Sequence, residues 1–230
     1  MSLHARFIQD LITEIGIDEA GRGSFWGPLM AGAVVLPLEW TEEQRAVLIQ
    51  LRDSKKISPK KRLILEAELR KQIPLCGVGM VMPNEINDHG ITWANREAFR
   101  RAMASLGIPL EGCRLLLDGI LQIDTWKGDQ HVIIEGDNQY IAIAAASILA
   151  KVAHDKWIHE FCEANPECNE RYDLLRSNGY GTARHREGIR LYGGHELHRD
   201  MYIQNWLPGS THTEKKKTKK SDICLIQFTK

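Results

Sequence analysis

Four acids stand where apolar runs of the sequence give out. Asp18 and Glu19 follow Ile15-Gly16-Ile17, Asp118 follows Leu115-Leu116-Leu117, and Asp137 follows the run 132–134 and Gly136. Such runs read as short strands. In an open α/β sheet, ligands gather outside the carboxyl ends of the strands. If the runs 15–17 and 115–117 are parallel neighbours, Asp18 and Asp118 sit side by side there. Adjacent strand residues point to opposite faces, so Glu19 joins Asp18 only if the strand ends or bends at the glycines that follow. Asp137 precedes a long helix, whose positive dipole end tolerates a carboxylate. Clustered carboxylates repel one another unless a cation neutralises them. A set of oxygen ligands suits Mg²⁺ or Mn²⁺. Two such ions about 3.5–4 Å apart can bind the attacking water and the leaving oxygen of a phosphodiester. Each acid alone reads more readily as a solvated loop residue. The recurrence at strand ends is what favours a site. Spacing alone reaches no further than metal-dependent phosphoryl transfer.

Gly21-Arg22-Gly23 forms a loop whose backbone N–H groups can approach a ligand closely, and Arg22 can pair with a phosphate. It is not a dinucleotide fingerprint, because Trp26 stands where the third glycine would be.

The elements that must position these residues follow from pattern. Strands are expected at 15–17, 29–36, 75–82, 115–117 and 132–134. Helices are expected at 42–51 behind Thr41, from Ser58-Pro59 onward, at 91–106 before Gly107, and at 140–161. The stretch 141–150 is apolar nearly all round and should be deeply buried. Strands and helices alternate up to about residue 160, which indicates an α/β fold with helices on a mixed sheet. Beyond Asn165-Pro166 the chain is rich in Arg and His and reads as a smaller helical lobe with one clear helix near 182–192. The expected division is a core at 1–163, a C-terminal helical lobe of the same domain at 164–209, and a lysine-rich tail at 210–230, expected to be disordered.

With 230 residues, the chain can bury a sizeable core. Thirty basic side chains balance 30 acidic ones, so any nucleic-acid surface must be local. The five cysteines include no C-x-x-C pair, which argues against a disulfide framework or a zinc ribbon. No signal-peptide core or membrane-length apolar run is present, and the expectation is a cytoplasmic protein with no membrane association.

Several blocks occur together in one order: Gly16-Ile17-Asp18-Glu19-Ala20-Gly21-Arg22-Gly23, Gly27-Pro28, Asp53-Ser54-Lys55, Leu117-Asp118-Gly119, Gly136-Asp137, Ala144-Ala145-Ala146-Ser147, Gly179-Tyr180-Gly181-Thr182 with His185, and Leu197-His198-Arg199. This series resembles the type 2 ribonucleases H, the ribonuclease HII family, over about residues 14–202. The resemblance implies an RNase H-like mixed β-sheet flanked by helices, with a C-terminal helical lobe. It implies an endoribonuclease that hydrolyses the RNA strand of RNA/DNA hybrids. It also implies incision 5′ of single ribonucleotides in duplex DNA, leaving 3′-hydroxyl and 5′-phosphate ends. Asp18, Glu19, Asp118 and Asp137 would be catalytic and would hold two Mg²⁺ or Mn²⁺ ions. Gly21, Arg22 and Gly23 would read the 2′-hydroxyl side of the ribonucleotide, Lys55 would contact phosphate, and Tyr180 would pack on the sugar at the RNA–DNA junction. A monomer is expected, and no motif supports a partner recruited by the tail.

The chain departs from that family's pattern at Ser24-Phe25-Trp26, Gly90, His154, Asn178 and Arg199-Asp200-Met201-Tyr202. His185, His195 and His198 are expected to contact phosphate or pack at the surface rather than bind zinc. Trp126, Trp157 and Trp206 are expected to pack. A hybrid-binding protein without catalysis, or another carboxylate nuclease of the same fold, would be the alternatives. Loss of an acid would favour the first, and absence of the glycine–arginine and Gly179-Tyr180-Gly181-Thr182 blocks the second.

Overall fold

A computed structural model describes residues 3–51, 54 and 57–210. Asp53, Lys55 and the tail beyond residue 210 lie outside the described residues. Five strands form one mixed sheet in the order β3-β2-β1-β4-β5. They are β1 (Glu14–Ala20), β2 (Leu29–Val35), β3 (Cys76–Val81), β4 (Arg114–Asp118) and β5 (Gln130–Ile133). β1 runs antiparallel to β2 and parallel to β4, with Ile17 opposite Leu117. β5 runs parallel to β4, with Asp118 opposite Ile133.

The alternation of β1 explains the two layers. Ile15 and Ile17 join Ala31, Ala33, Leu115 and Leu117 in a core with Ala94, Ala98, Phe99 and Ala102 of α4 (Ile91–Ala104). Gly16 and Gly32 lie under α5 (Ile141–Ala164), and only glycine fits there. A Cβ on Gly16 would come 2.3 Å from the Ala142 carbonyl carbon, and one on Gly32 would come 2.2 Å from the Ala146 oxygen. All of residues 141–150 are buried, as their apolar composition requires. α5 therefore lies almost on the backbone of β1 and β2.

α1 (Glu42–Leu48) begins with a capping box in which Thr41 and Gln44 exchange hydrogen bonds. α2 (Pro59–Gln72) has proline in its first turn. Pro83 both stops β3 and opens a helix the pattern did not show, α3 (Pro83–His89). Gly90, at φ 82°, then turns α3 into α4. At the far end of β1, Arg114 is buried and binds Asp129, Asp10 and Glu14 at 2.7, 2.8 and 3.1 Å.

The lobe contains α6 (Pro166–Tyr172), α7 (Leu174–Ser177), α8 (Ala183–Tyr192) and α9 (Asp200–Ile203), followed by a 3₁₀ turn (Gln204–Trp206). Only α8 was expected. The other three span four to seven residues, too few to show a 3.6-residue period. The lobe packs around Trp26, Ile158, Cys162, Cys168, Tyr172, Leu174, Ile189 and Ile203. Trp26 comes from the β1–β2 connection and is completely buried. The Ser24-Phe25-Trp26 segment is therefore the joint between sheet and lobe. Its backbone bridges to Tyr180 and His198, and the Phe25 and Trp26 N–H groups both donate to the Gly179 carbonyl. Among the described residues no helix is long and apolar enough to cross a membrane.

Candidate active site

The register of β1 and β4 sets Asp18 and Asp118 next to each other at the carboxyl edge. Asp18 is 5% exposed. It shares the α5 face with Gly16, and Ser147 of α5 hydrogen-bonds its carboxyl. The Glu19 N–H donates to its Oδ1 at 2.7 Å. Burial raises its pKa well above the ordinary carboxylate value, and the charges of Asp118 and Glu19 push the same way. Asp118 accepts from the Gly136 N–H at 2.7 Å. That bond ties β4 to the 3₁₀ turn Gly136–Asn138, where Asp137 is buried and accepts from Asn138 Nδ2 at 3.1 Å.

The strand end expected after residue 17 is not there. β1 stays paired with β2 through Ala20, because the antiparallel ladder reaches Met30. Glu19 nevertheless lies close enough to act on Asp18, and it lines the adjoining cleft. Among the described residues, no three His, Cys, Asp or Glu side chains converge tightly enough to form a ready cage for a metal ion. The structure does bring together a buried carboxyl and two like-charged neighbours. Such a set fits a hard divalent cation taking oxygen ligands.

The cleft beside the acids has a volume of about 360 Å³ and is lined by Glu19, residues 20–23, Ser54, Ser147, Lys151 and Tyr180. Gly21 adopts φ 81°, and a Cβ there would come 2.3 Å from the His154 ring. Both facts require glycine. Lys151 Nζ lies 5.4 Å from the Tyr180 ring centre and 2.7 Å from Asp155. Arg62 is buried, pairs with Asp155 at 3.2 Å, and donates to the Ser54 and Ile57 carbonyls at 3.0 Å each. The Ser54 and Ser147 hydroxyls are 3.0 Å apart. Ser54, the described residue of the Asp53-Ser54-Lys55 block, is thus fixed to the helix that carries Ser147.

The histidines differ from expectation. His185 and His198 are fully buried, so neither contacts phosphate nor packs at the surface. The His195 N–H donates to His198 Nδ1 at 2.9 Å, which leaves the proton of His198 on Nε2. His198 Nε2 lies 3.0 Å from His185 Nε2, and His185 Nδ1 lies 3.1 Å from the Tyr180 carbonyl. Two neutral rings therefore pass one chain of hydrogen bonds to the backbone of Tyr180. Burial pushes the pKa of His185 down to about 4 and that of His198 to about 3.

Sequence reasoning gave Arg199 no role. It is completely buried, and burial lowers its pKa to about 10. Its guanidinium donates to the carbonyls of Gly21 at 2.6 Å, Arg22 at 3.0 Å and Gly27 at 2.9 and 3.0 Å. The only available sequence signal was an arginine in a short block next to a buried-type histidine, which does not reveal a partner 170 or more residues away.

Residues 15–207 match the family model described as ribonuclease HII. The chain belongs to the ribonuclease HII family. It is 39% identical over 191 residues to a ribonuclease HII of Prochlorococcus marinus, covering 83% of this chain and 96% of the relative. The fold is similar to the crystal structure of ribonuclease H2 from Pyrococcus horikoshii, with a TM-score of 0.68, 25% identity, and coverage of 85% of this chain and 97% of that one. A Bst ribonuclease HIII determined with Mn²⁺ shares the fold at a TM-score of 0.64 and 17% identity, over 85% of this chain and 69% of that one. The mixed sheet flanked by helices is thus the RNase H-like fold, and membership of the ribonuclease HII family makes the chain a ribonuclease of the H class.

Proposed function

We propose that this chain is an endonuclease that hydrolyses the RNA strand of RNA/DNA hybrids and incises duplex DNA on the 5′ side of a single ribonucleotide. The observation that carries this reading is the adjacency of two unlike parts. Asp18 and Asp118 meet at the carboxyl edge of parallel strands, and the Gly21-Arg22-Gly23 turn opens beside them onto one cleft with Tyr180. The first part suits phosphodiester hydrolysis and the second suits contact with sugar and phosphate.

Asp18, Glu19, Asp118 and Asp137 would hold two Mg²⁺ or Mn²⁺ ions. When bound, such ions polarise the phosphate, favour ionised water and offset charge on the departing oxygen. The protein's own part is placement. Buried Asp18 is held by Ser147 and by the Glu19 N–H, and Asp118 by the Gly136 N–H. A water oxygen adds to phosphorus, the P–O3′ bond breaks, and the 3′ oxygen takes up a proton. The ends are a 3′-hydroxyl and a 5′-phosphate. Backbone N–H groups of the glycine–arginine turn would face the 2′-hydroxyl, the atom that separates RNA from DNA. Tyr180 would support the sugar. Contacts to sugar and phosphate carry no base preference. Lys55, outside the described residues, would add a phosphate contact. The lobe at 164–209 serves as part of the same domain, supplying Tyr180 and the residues that brace the turn. The reaction suits a monomeric cytoplasmic enzyme.

The test uses three labelled duplexes: all-DNA, DNA with one ribonucleotide, and a full hybrid, each with Mg²⁺, Mn²⁺ or EDTA. Cleavage of the last two, only with metal, is expected. Cleavage of all-DNA, or no cleavage with either metal, would overturn the reading.

A further inference from the structure

Arg199 and Tyr202 approach the Gly21-Arg22-Gly23 turn from the side of the lobe. Arg199 Nη1 donates to the Gly21 and Arg22 carbonyls, and the Tyr202 hydroxyl donates to the Arg22 carbonyl at 3.0 Å. The peptide unit is planar and trans, so a carbonyl and the N–H of the next residue point in opposite directions. Holding the Gly21 carbonyl toward the lobe therefore aims the Arg22 N–H away from it. Holding the Arg22 carbonyl does the same for the Gly23 N–H. The turn lines the cleft, and among the described residues neither N–H donates to a protein acceptor. We propose that Arg199 and Tyr202 are positioning residues that hold the Arg22 and Gly23 N–H groups in the cleft and so set how well ribose is told from deoxyribose.

A buried guanidinium whose hydrogen bonds go to three carbonyls is costly to maintain. Its planar fork can hold several acceptors at fixed angles, which an ammonium cannot do. The buried His154 ring lies against the Cα of Gly21, so that ring as well as the Arg199 fork bounds the turn. Tyr202 offers a milder probe. Its ring stacks on Phe25 at 5.7 Å and 6°, so removing the hydroxyl leaves the packing in place.

This inference rests on the function proposed above, and its test separates the two. KM and kcat are measured with Mn²⁺ for wild type and Tyr202→Phe, on the single-ribonucleotide duplex and on the continuous hybrid. Amide hydrogen exchange over residues 21–24 is followed in parallel, without metal or substrate. Tyr202→Phe should raise KM on the single-ribonucleotide duplex about fivefold, the effect expected of one ordinary hydrogen bond. The hybrid, which offers ribose at every step, should be affected less, and kcat should change less than KM. Exchange at Ser24, whose N–H closes the turn on the Gly21 carbonyl at 3.1 Å, should quicken while that of β1 and α5 stays unchanged. Arg199→Lys should shift the same readouts further. Wild-type exchange and wild-type KM in Tyr202→Phe would overturn the inference, as would equal losses on both substrates accompanied by a lower melting temperature. A wild-type chain that cuts neither substrate overturns the proposed function and its link to ribose, while the exchange rates still report whether the clamp holds the turn.

Discussion

Asp18 is costly to keep ionised. It is buried beside two other carboxylates, and its folded-state pKa lies well above its ordinary value of 3.8. The folded chain therefore binds this proton more tightly than the unfolded chain does. The stability it contributes is fully present below the unfolded pKa and is lost as pH rises through the folded one. Above the folded pKa the ionised group works against the fold. Asp18→Asn should raise the melting temperature by about 2–4 °C, the shift that about 1 kcal/mol gives in a chain of this size. It should also lower turnover by more than about 100-fold, beyond what loss of an outer-sphere partner costs. A variant that melts lower and still cuts would remove Asp18 from the proposed site. Added Mn²⁺ should stabilise the wild type by binding only the folded form, EDTA should reverse this, and Asp18→Asn should respond much less. An equal response in both would mean that Asp18 does not hold the ion. Asp18 and Asp118 were readable in the sequence, because each ends a short apolar run and a parallel register brings the runs together. Arg199, His185 and His198 were not, because their partners are backbone atoms and buried rings distant in sequence.

The helix α5 governs how closely its Ser147 approaches β1. Gly16 and Gly32 leave the helix nowhere to move but away from the sheet if a side chain is added. Gly32→Ala should cost about 1–3 kcal/mol, the usual cost of overpacking, and should reduce turnover because Ser147 retreats from Asp18. A melting temperature equal to wild type would contradict the close approach. The helices of the lobe depend on a different property. His185 and His198 stay neutral when folded, with pKa values near 4 and 3, but take up protons near 6.5 when unfolded. Stability should be unaffected by this pair above about pH 6.5 and should fall as pH drops from there towards 4. Urea midpoints at pH 7 and pH 5 measure the effect, and no difference would mean that the rings are not confined as described. α5 was legible because its first ten residues, 141–150, are apolar nearly all round and the helical pattern runs on from them. The short lobe helices were not, because tertiary contacts, not periodicity, define segments of four to seven residues.

The whole molecule joins its two parts through buried links. Trp26 leaves the sheet and enters the centre of the lobe, Arg199 leaves the lobe and binds the turn after β1, and Ile158 and Cys162 extend α5 beneath both. The core of the lobe draws a residue from position 26 and two from α5, all on the N-terminal side of the boundary expected near residue 163. Read from the sequence, Ser24-Phe25-Trp26 stood out only as a departure from a family pattern, because a residue's partner across 140 positions leaves no local signal. If the lobe cannot bury its apolar surface without Trp26, the chain unfolds as one unit. Calorimetry should show a single transition with equal calorimetric and van't Hoff enthalpies. Trp26→Ala should lower stability by about 3–5 kcal/mol and carry sheet and lobe down together. Two resolved transitions in the wild type, or a Trp26→Ala chain in which hydrogen exchange quickens in the lobe while β1 and β4 keep full protection, would show that lobe and sheet fold independently. In that case the clamp on the glycine–arginine turn would have to be a contact between two separate bodies.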